Sequence, residues 1–327
     1  MLIGDPQWIT HPVELMGRLI ETLRKKVELI AGDTKLALRL GGVFITFILI
    51  FLNGLIGWFL ERLALPNSPL PQIFGAILLV IAMASTIAAK SLRESASAVL
   101  NELNQSFDND DDLKFAREKL SHIVGRNVWH LNKSEILRAT AETVSENSVD
   151  GVFGPLFWMV VGASLWELSP HYPGPLALAL IYKSSSTLDS MLGYKHGRLK
   201  WIGTAGAKLD DLLTWLPCRT VLITLPIVSK PLKKMPTLVH AAWVDGSKDN
   251  SPNSGISEAI FAHCAEVRMG GVNKYGDKLI RKPTLAKNSP EATIKSIKRL
   301  LRLTLTLEFA WLTILGIIAL NFALYKV

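Results

Sequence analysis

Two stretches of twenty residues, Gly41–Leu60 (GGVFITFILIFLNGLIGWFL) and Leu70–Ala89 (LPQIFGAILLVIAMASTIAA), contain no charged side chain, and a third apolar run, Phe309–Tyr325, follows Glu308. About twenty apolar residues are enough to cross a hydrocarbon core of ~30 Å. An unsatisfied backbone group inside that core costs several kcal/mol, so each run must form a helix. The sequence therefore predicts an all-α, polytopic integral membrane protein with four or five transmembrane or re-entrant segments. The mean hydropathy of +0.28 agrees.

Charge fixes the expected arrangement around these runs. The formal net charge is +8, which in a membrane chain reads as basic cytoplasmic loops and not as a nucleic-acid surface. Residues 1–40 form a polar N-terminal segment with six Lys/Arg, and 229–302 form a basic loop with 14 Lys/Arg against 6 Asp/Glu. Both are expected in the cytoplasm, with spans at 41–60, 70–89 and 303–325 and a cytoplasmic helical region at 90–150. An even number of crossings is then needed within the broken apolar block 151–228. Either 151–182 crosses twice, or it and Leu212–Val228, which Pro217 and Arg219 interrupt, each cross once. We read the whole as one membrane domain in the cell membrane. There is no signal-peptide pattern, and Cys218 and Cys264 lack metal-ligand spacing, so both read as ordinary thiols.

Chemistry concentrates where polar residues meet the apolar block. Asn132 followed by Glu135 reads as a capping box. Downstream, at about 100° per residue, Glu135, Glu142, Glu146 and Asp150 share one face, with Leu137, Thr140 and Val144 opposite. Like charges four apart oppose a helix by ~0.2–0.5 kcal/mol per pair. Such a stripe is either a solvated face, with Arg138 as its nearby counter-charge, or a site for a hard divalent cation such as Mg²⁺, which takes oxygen ligands. Its position at a membrane entry favours the cation. The DNDDD run at 108–112 lacks the glycine and glutamate that an EF-hand requires at its sixth and twelfth positions.

Further polar clusters are YKSSSTLDSMLGY (Tyr182–Tyr194), KLDD (Lys208–Asp211), DGSKDNSPNSG (Asp245–Gly255) and GGVNKYG (Gly270–Gly276). Glycine- and serine-rich loops can offer backbone N–H groups to phosphate. No P-loop, H-E-x-x-H, G-x-S-x-G or G-x-G-x-x-G motif is present. The residues alone thus give a membrane protein whose polar loops suit a metal–phosphate ligand.

Longer blocks carry a resemblance. The chain resembles the cobalamin-biosynthesis CobD/CbiB family, the adenosylcobinamide-phosphate (cobinamide) synthases. The resemblance rests on GDPQWITHPVELMGRLI (Gly4–Ile20), IVGRN (Ile123–Asn127), AETVSENSVDGVFGPLFW (Ala141–Trp158) and YKSSSTLDSMLGYKHGR (Tyr182–Arg198). It continues through GTAGAKLDDLLTWLPCR (Gly203–Arg219), SPNSG (Ser251–Gly255) and GGVNKYG. Three departures stand out. The family pattern carries an apolar helix before GDP, and here only Met1–Ile3 precede it, so either the start is truncated or misassigned or one span is absent. Asp249 and Asn250 stand where relatives have His-Pro, and Val272 stands where they have proline.

The resemblance implies ATP-dependent amide formation. Aminopropanol or its phosphate would be joined to a propionate carboxylate of adenosylcobyric acid, with ATP and Mg²⁺, in a lipid bilayer and alongside other enzymes of the pathway. Under that reading Glu142, Glu146 and Asp150 ligate Mg²⁺ with Asn147 orienting. Asp189, Asp210 and Asp211 form a second acidic group or the base for the amine. Lys183, Lys208 and Arg219 bind phosphate, and Asn253, Ser254 and Asn273 contact nucleotide or the corrinoid's amide rim. His11 is a further candidate or, beside Pro12, shapes an N-terminal turn, and Trp158, Trp166 and Trp215 would anchor at the membrane interface. Two other classes fit the same outline: a non-catalytic membrane scaffold or sensor related to the family, and a transporter. A transporter more often places charges inside its spans, and the first two runs here have none.

Overall fold

The structure is a computed structural model and describes residues 12–66, 68–105, 112–275 and 278–325. Its helices are α1 (Pro12–Ala31), α2 (Lys35–Arg62), α3 (Gln72–Ser85), α4 (Ala89–Gln105), α5 (Leu113–Ser121) and α6 (Lys133–Ser148). A π-turn at Val149–Phe153 leads to α7 (Gly154–Leu168), α8 (Pro175–Leu192), α9 (Leu199–Ile202), α10 (Thr204–Ser229), α11 (Met235–Gly246) and α12 (Ser254–Ala265). An antiparallel hairpin, β1 (Met269–Tyr275) and β2 (Lys278–Leu285), precedes α13 (Ile294–Tyr325).

The expected membrane architecture is present. Among the described residues, five helices are long and apolar enough to cross a bilayer: Lys35–Arg62, Gln72–Gln105, Lys133–Leu168, Thr204–Ser229 and Ile294–Ile317. Of the stretches left open by the sequence, 151–182 meets this criterion in its α7 part, within Lys133–Leu168, and Leu212–Val228 lies within Thr204–Ser229, while α8 does not meet it. Pro217 and Pro226 lie within α10 without ending it. The SPHYPGP segment separates α7 from α8, which pack as a helix pair. The hairpin is an addition, since it lies in the segment read as a basic loop.

The chain forms two compact units, 1–88 with 150–216 and 89–149 with 217–327. In the first, α2 packs along α8, and α8 also contacts α7, α3 and α1. Ile20, Leu38, Ile45, Leu49, Leu188 and Leu192 form one apolar cluster. The joint between α2 and α8 is electrostatic. Glu61, fully buried near the end of α2, accepts the backbone N–H groups of Gly174 (2.8 Å), Leu176 (2.7 Å) and Ala177 (3.0 Å). A carboxylate from a neighbouring helix thereby caps α8, whose own N-cap residue is glycine and offers no side chain. Any side chain at Gly174 would press on this carboxylate, since its Cβ would lie 2.7 Å from Oε1.

In the second unit α6 is the central element, in contact with α4, α5, α12, α13 and β1. Its composition disguises this, because threonines and serines occupy core positions. Three of these hydroxyls are satisfied within the helix: Thr140 donates to the Ile136 carbonyl, Ser145 to Ala141 and Ser148 to Val144. A buried hydroxyl that makes its hydrogen bond avoids most of the desolvation cost. The small side chains let five elements approach, and Ser148 and Thr304 share a 2.8 Å hydrogen bond between α6 and α13. Cys218 and Cys264 are buried free thiols, as expected, and burial pushes the Cys264 thiol up to about 11.

Candidate functional site

The second unit holds a buried cluster of acids and bases built on α6. The capping box at its start is formed as expected: Glu135 N–H donates to Asn132 Oδ1 (2.9 Å), and Asn132 N–H donates to Glu135 Oε2 (3.0 Å). Two turns on, Glu142 is 5% exposed and not a solvated face residue. Its Oε2 accepts from Arg126 (3.0 Å), and its Oε1 accepts the Gly270 N–H (2.9 Å) with Arg138 Nε at 3.8 Å.

The hairpin's bulge makes this possible. The register shifts between Met269 and Gly271, and Gly270 and Gly271 take φ of +79° and +99°. Those angles are open to glycine and strained for other residues. Flipped this way, the bulge turns the Gly270 N–H to Glu142 and presents the Gly270 and Val272 carbonyls to the two Arg138 Nη groups, at 2.7 and 2.9 Å.

Glu258 on α12 and Lys282 on β2 complete the cluster, and the sequence reading missed both. Lys282 Nζ donates to Glu258 Oε1 at 2.9 Å, and Glu258 is 1% exposed. Burial pushes the Glu258 carboxyl up to about 8; Lys282 pulls it down, while Glu142 and Glu146 add to the rise. Burial alone would lower the Lys282 ammonium, but Glu258, Glu146 and Asp249 outweigh it and keep the ammonium charged above its ordinary range. Burial thus favours the protonated form of Glu258, while the surrounding carboxylates favour the charged form of Lys282.

A pH dependence of stability follows. A free glutamate titrates near ~4.3, and in the folded chain Glu258 titrates at about 8. The folded state prefers the protonated form, so this stabilisation is complete below ~4.3 and is lost as pH rises to about 8. The thermal midpoint in detergent is expected to fall between pH 5.5 and 8, and Glu258→Gln to flatten that slope. An unchanged slope in the variant would assign the titration to another group.

The remaining expected residues of this unit are partly assembled. Arg219 and Asn253 come together, with Arg219 Nη1 donating to Asn253 Oδ1 and Nη2 to the Pro252 carbonyl (2.7 Å). Arg219 thus holds the SPNSG loop, where Ser254 begins α12 and its N–H donates to Ser251 Oγ (3.1 Å). Asn147 is exposed and bonds back to the Thr143 carbonyl. Asn273 pairs with Ile280 in the hairpin, and its side chain lies outside the described residues, as do His11 and residues 106–111 of the acidic run.

In the first unit, Lys183 on α8 lies within electrostatic reach of Asp150, in the π-turn, and Asp210, on α10. Burial lowers its ammonium and the two carboxylates oppose that. Adjacent on α10, Asp211 feels Lys195 instead. Asp189 is half-buried, its carbonyl accepting the Gly193 N–H at 2.7 Å, and Lys208 is exposed. Trp158 donates to the Leu213 carbonyl, and Trp215 is exposed.

Among the described residues no group of three or more His, Cys, Asp or Glu side chains is placed to hold a metal ion. Glu142, Glu146 and Asp150 accordingly do not form a ready-made three-carboxylate cage. Glu142 is committed to Arg126 and the bulge, and Asp150 belongs to the first unit with Lys183.

A family model described as CobD/Cbib protein matches residues 1–304. This chain belongs to the CobD/CbiB family. The cobalamin biosynthesis protein CobD of Synechocystis is 39% identical over 316 residues, covering 97% of this chain and 87% of that protein. CobD of Klebsiella pneumoniae is 34% identical, with 93% and 89% covered. CbiB of Salmonella typhimurium is also 34% identical, with 92% and 88% covered. No solved structure matches. The family match spans both units, so both the α6 cluster and the Lys183 group lie inside the shared region.

Proposed function

We propose that this chain acts in cobalamin biosynthesis as an amide-forming ligase of the adenosylcobinamide-phosphate synthase type. It joins the amine of aminopropanol or aminopropanol phosphate to a propionate carboxylate of adenosylcobyric acid, at the expense of ATP. The observation that carries this reading is the buried carboxylate–lysine–arginine cluster on the AETVSENSVDG helix. A membrane anchor or scaffold has no need of Glu146, Glu258 and Asp249 gathered around one lysine. Like charges so placed carry a cost that a bound cation would offset.

The chemistry sets three demands. A carboxylate is a poor electrophile, so the propionate oxygen takes the terminal phosphoryl group of ATP, giving an acyl phosphate and ADP. The amine then attacks the acyl carbon, the C–N bond forms, and phosphate leaves with the former carboxylate oxygen. The ammonium must also surrender a proton before attack and the new amide nitrogen a second one. Lys282 and Arg126 supply fixed positive charge for phosphate oxygens.

The donor set fits a magnesium ion that arrives with the nucleotide and not one held by protein alone. Mg²⁺ ordinarily takes one or two carboxylates plus phosphate and water. Glu146, half-buried and facing Asp249, Glu142 and Glu258, would hold it, with Asp249 as the second carboxylate. Bound there, Mg²⁺ would neutralise phosphate charge. We also propose that the polar segments at 90–150 and 229–302 are cytoplasmic, in keeping with the basic excess of the latter.

The test uses the full chain in detergent with adenosylcobyric acid, aminopropanol phosphate, ATP and Mg²⁺, following the corrinoid by mass spectrometry and ADP by chromatography. Equal amounts of amide product and ADP are expected. Glu146→Ala should lower kcat by about 100-fold or more with an unchanged melting point, the scale of losing a group that stabilises developing charge. Folded parent that binds corrinoid and makes no product would refute the ligase, and product without ADP would refute the ATP step.

A further inference from the structure

One face of α2 combines charge and hydrocarbon in a way that the amide chemistry does not use. Lys35 and Arg39 lie at the start of the helix, and one turn after Arg39 a groove of about 540 Å³ begins. Val43, Phe47, Phe51 and Trp58 of α2 line it together with Ile181 of α8 and Leu209 of α10, all in the first unit. At about 100° per residue, Arg39 shares a face with Val43, Phe47 and Trp58. The polar side chains of the lining are already engaged: Thr46 Oγ1 donates to the Gly42 carbonyl (2.8 Å) and Trp58 Nε1 to the His171 carbonyl (2.9 Å). The groove therefore offers hydrocarbon contact and no unused side-chain donor. Its two ends differ. At the far end Arg62 is a single cation, stacked on Trp58 and donating to the Pro170 carbonyl. At the near end Trp201 of α9 packs on the apolar cluster of this unit, and three cations surround its ring: Arg39 Cζ at 4.6 Å, Lys200 Nζ at 5.1 Å and Lys35 Nζ at 5.5 Å from the centroid. None of the three has an ion-pair partner among the described residues, and Asp33 is taken by Arg198 at 2.8 Å. Thr34 makes no side-chain cap on α2, so the positive end of the helix dipole adds to theirs. Leu36 and Leu40, interleaved with these cations, are exposed.

We infer that this face binds one anionic phospholipid, with its phosphate among Lys35, Arg39 and Lys200 and an acyl chain lying in the groove along α2. Three like charges around one ring repel each other, and an anion placed among them relieves that cost. Basic side chains beside a span attract anionic headgroups for the same reason. The dimensions agree. From Val43 to Trp58 the groove runs about 22 Å along the helix axis at ~1.5 Å per residue, longer than one leaflet of a ~30 Å hydrocarbon core. A zwitterionic lipid brings an ammonium that the three cations oppose. A second copy of the chain, packed about a two-fold axis along the bilayer normal, would press the same three cations against these. Free phosphate would use the charges and leave the groove unfilled.

Native mass spectrometry of the delipidated full chain in detergent tests it. The probes are equimolar phosphatidylglycerol and phosphatidylcholine with identical acyl chains, and inorganic phosphate. The parent should retain phosphatidylglycerol about tenfold over phosphatidylcholine at low salt, and added salt should shrink that excess as the exposed cations are screened. Arg39→Gln with Lys200→Gln, both at exposed positions, should bring the ratio to about one at an unchanged melting point, and Arg39→Lys should keep most of the preference. Val43→Trp, which blocks the mouth of the groove from an exposed position, should weaken both lipids by about tenfold and leave their ratio unchanged. Inorganic phosphate at the concentration of the lipid should displace neither. Equal retention of the two lipids by the parent, or a preference that survives the double substitution, would overturn the assignment. So would displacement by inorganic phosphate, which would leave a bare anion site, or a dimer mass that Val43→Trp abolishes, which would give the groove to a second copy.

Discussion

Glu142→Ala will abolish amide synthesis and lower the stability of the chain by about 3–5 kcal/mol, the usual cost of breaking a buried ion pair from one side. The substitution leaves the Arg126 guanidinium, 7% exposed, without its carboxylate and strands the Gly270 N–H inside the protein. Its two effects can be separated. When both partners of a buried pair become apolar, the stranded charge disappears and much of the stability returns. Arg126→Met with Glu142→Leu is therefore expected to melt well above Glu142→Ala while remaining inactive. Recovery of activity with stability would reduce Glu142 to a packing element. Denaturation in detergent and product mass spectra read the two quantities independently.

Glu61→Ala will act just as strongly on the first unit and for a different reason. Three N–H groups at the start of α8 lose their common acceptor in surroundings where water does not replace it. At ~1–3 kcal/mol for each stranded donor, the loss amounts to several kcal/mol, a large share of a typical domain's total. Glu61→Gln keeps one carbonyl oxygen and turns an NH₂ group toward the remaining donors, so it should fall between parent and alanine. Hydrogen exchange localises the effect. Protection should drop at Leu176 and Ala177 first, before the middle of α2. Uniform loss of protection, or none, would show that the cap does not limit the stability of this helix. Activity should fall as well, since α8 carries Lys183 and Asp189.

The spans were legible because the bilayer imposes a length and an absence of charge that few other environments impose. The AETVSENSVDG stripe was legible in part. Helical periodicity brought Glu142 and Glu146 to one face, but the π-turn at Val149–Phe153 begins where Asp150 was to continue the stripe. Its i→i+5 bonding departs from the assumed 100° per residue. Burial of α6 was hidden because Thr140, Ser145 and Ser148 read as polar and satisfy themselves on their own backbone. Glu258 and Lys282 were missed because they meet across 24 residues through a hairpin of weak alternation, GGVNKY against KLIRKPTL. Arg126 likewise gave no sign of pairing with a glutamate 16 residues away. Glu61 directly follows the first uncharged run, and nothing local in the sequence shows that it serves another helix.

The chain passes from one unit to the other after Ala88, Val149 and Leu216, so neither unit is a continuous stretch. On the ribosome this imposes a delay. When α6 emerges, α12, β1 and α13, which enclose it, are still more than 100 residues from synthesis. Contacts of such sequence separation are slow to close. Until they do, Glu142 lacks its bulge and the serines of α6 lie open. The nascent chain therefore spends its longest vulnerable interval with its most chemically elaborate helix unfinished, and a chain stopped before α13 would present that helix to the quality-control machinery of the cell.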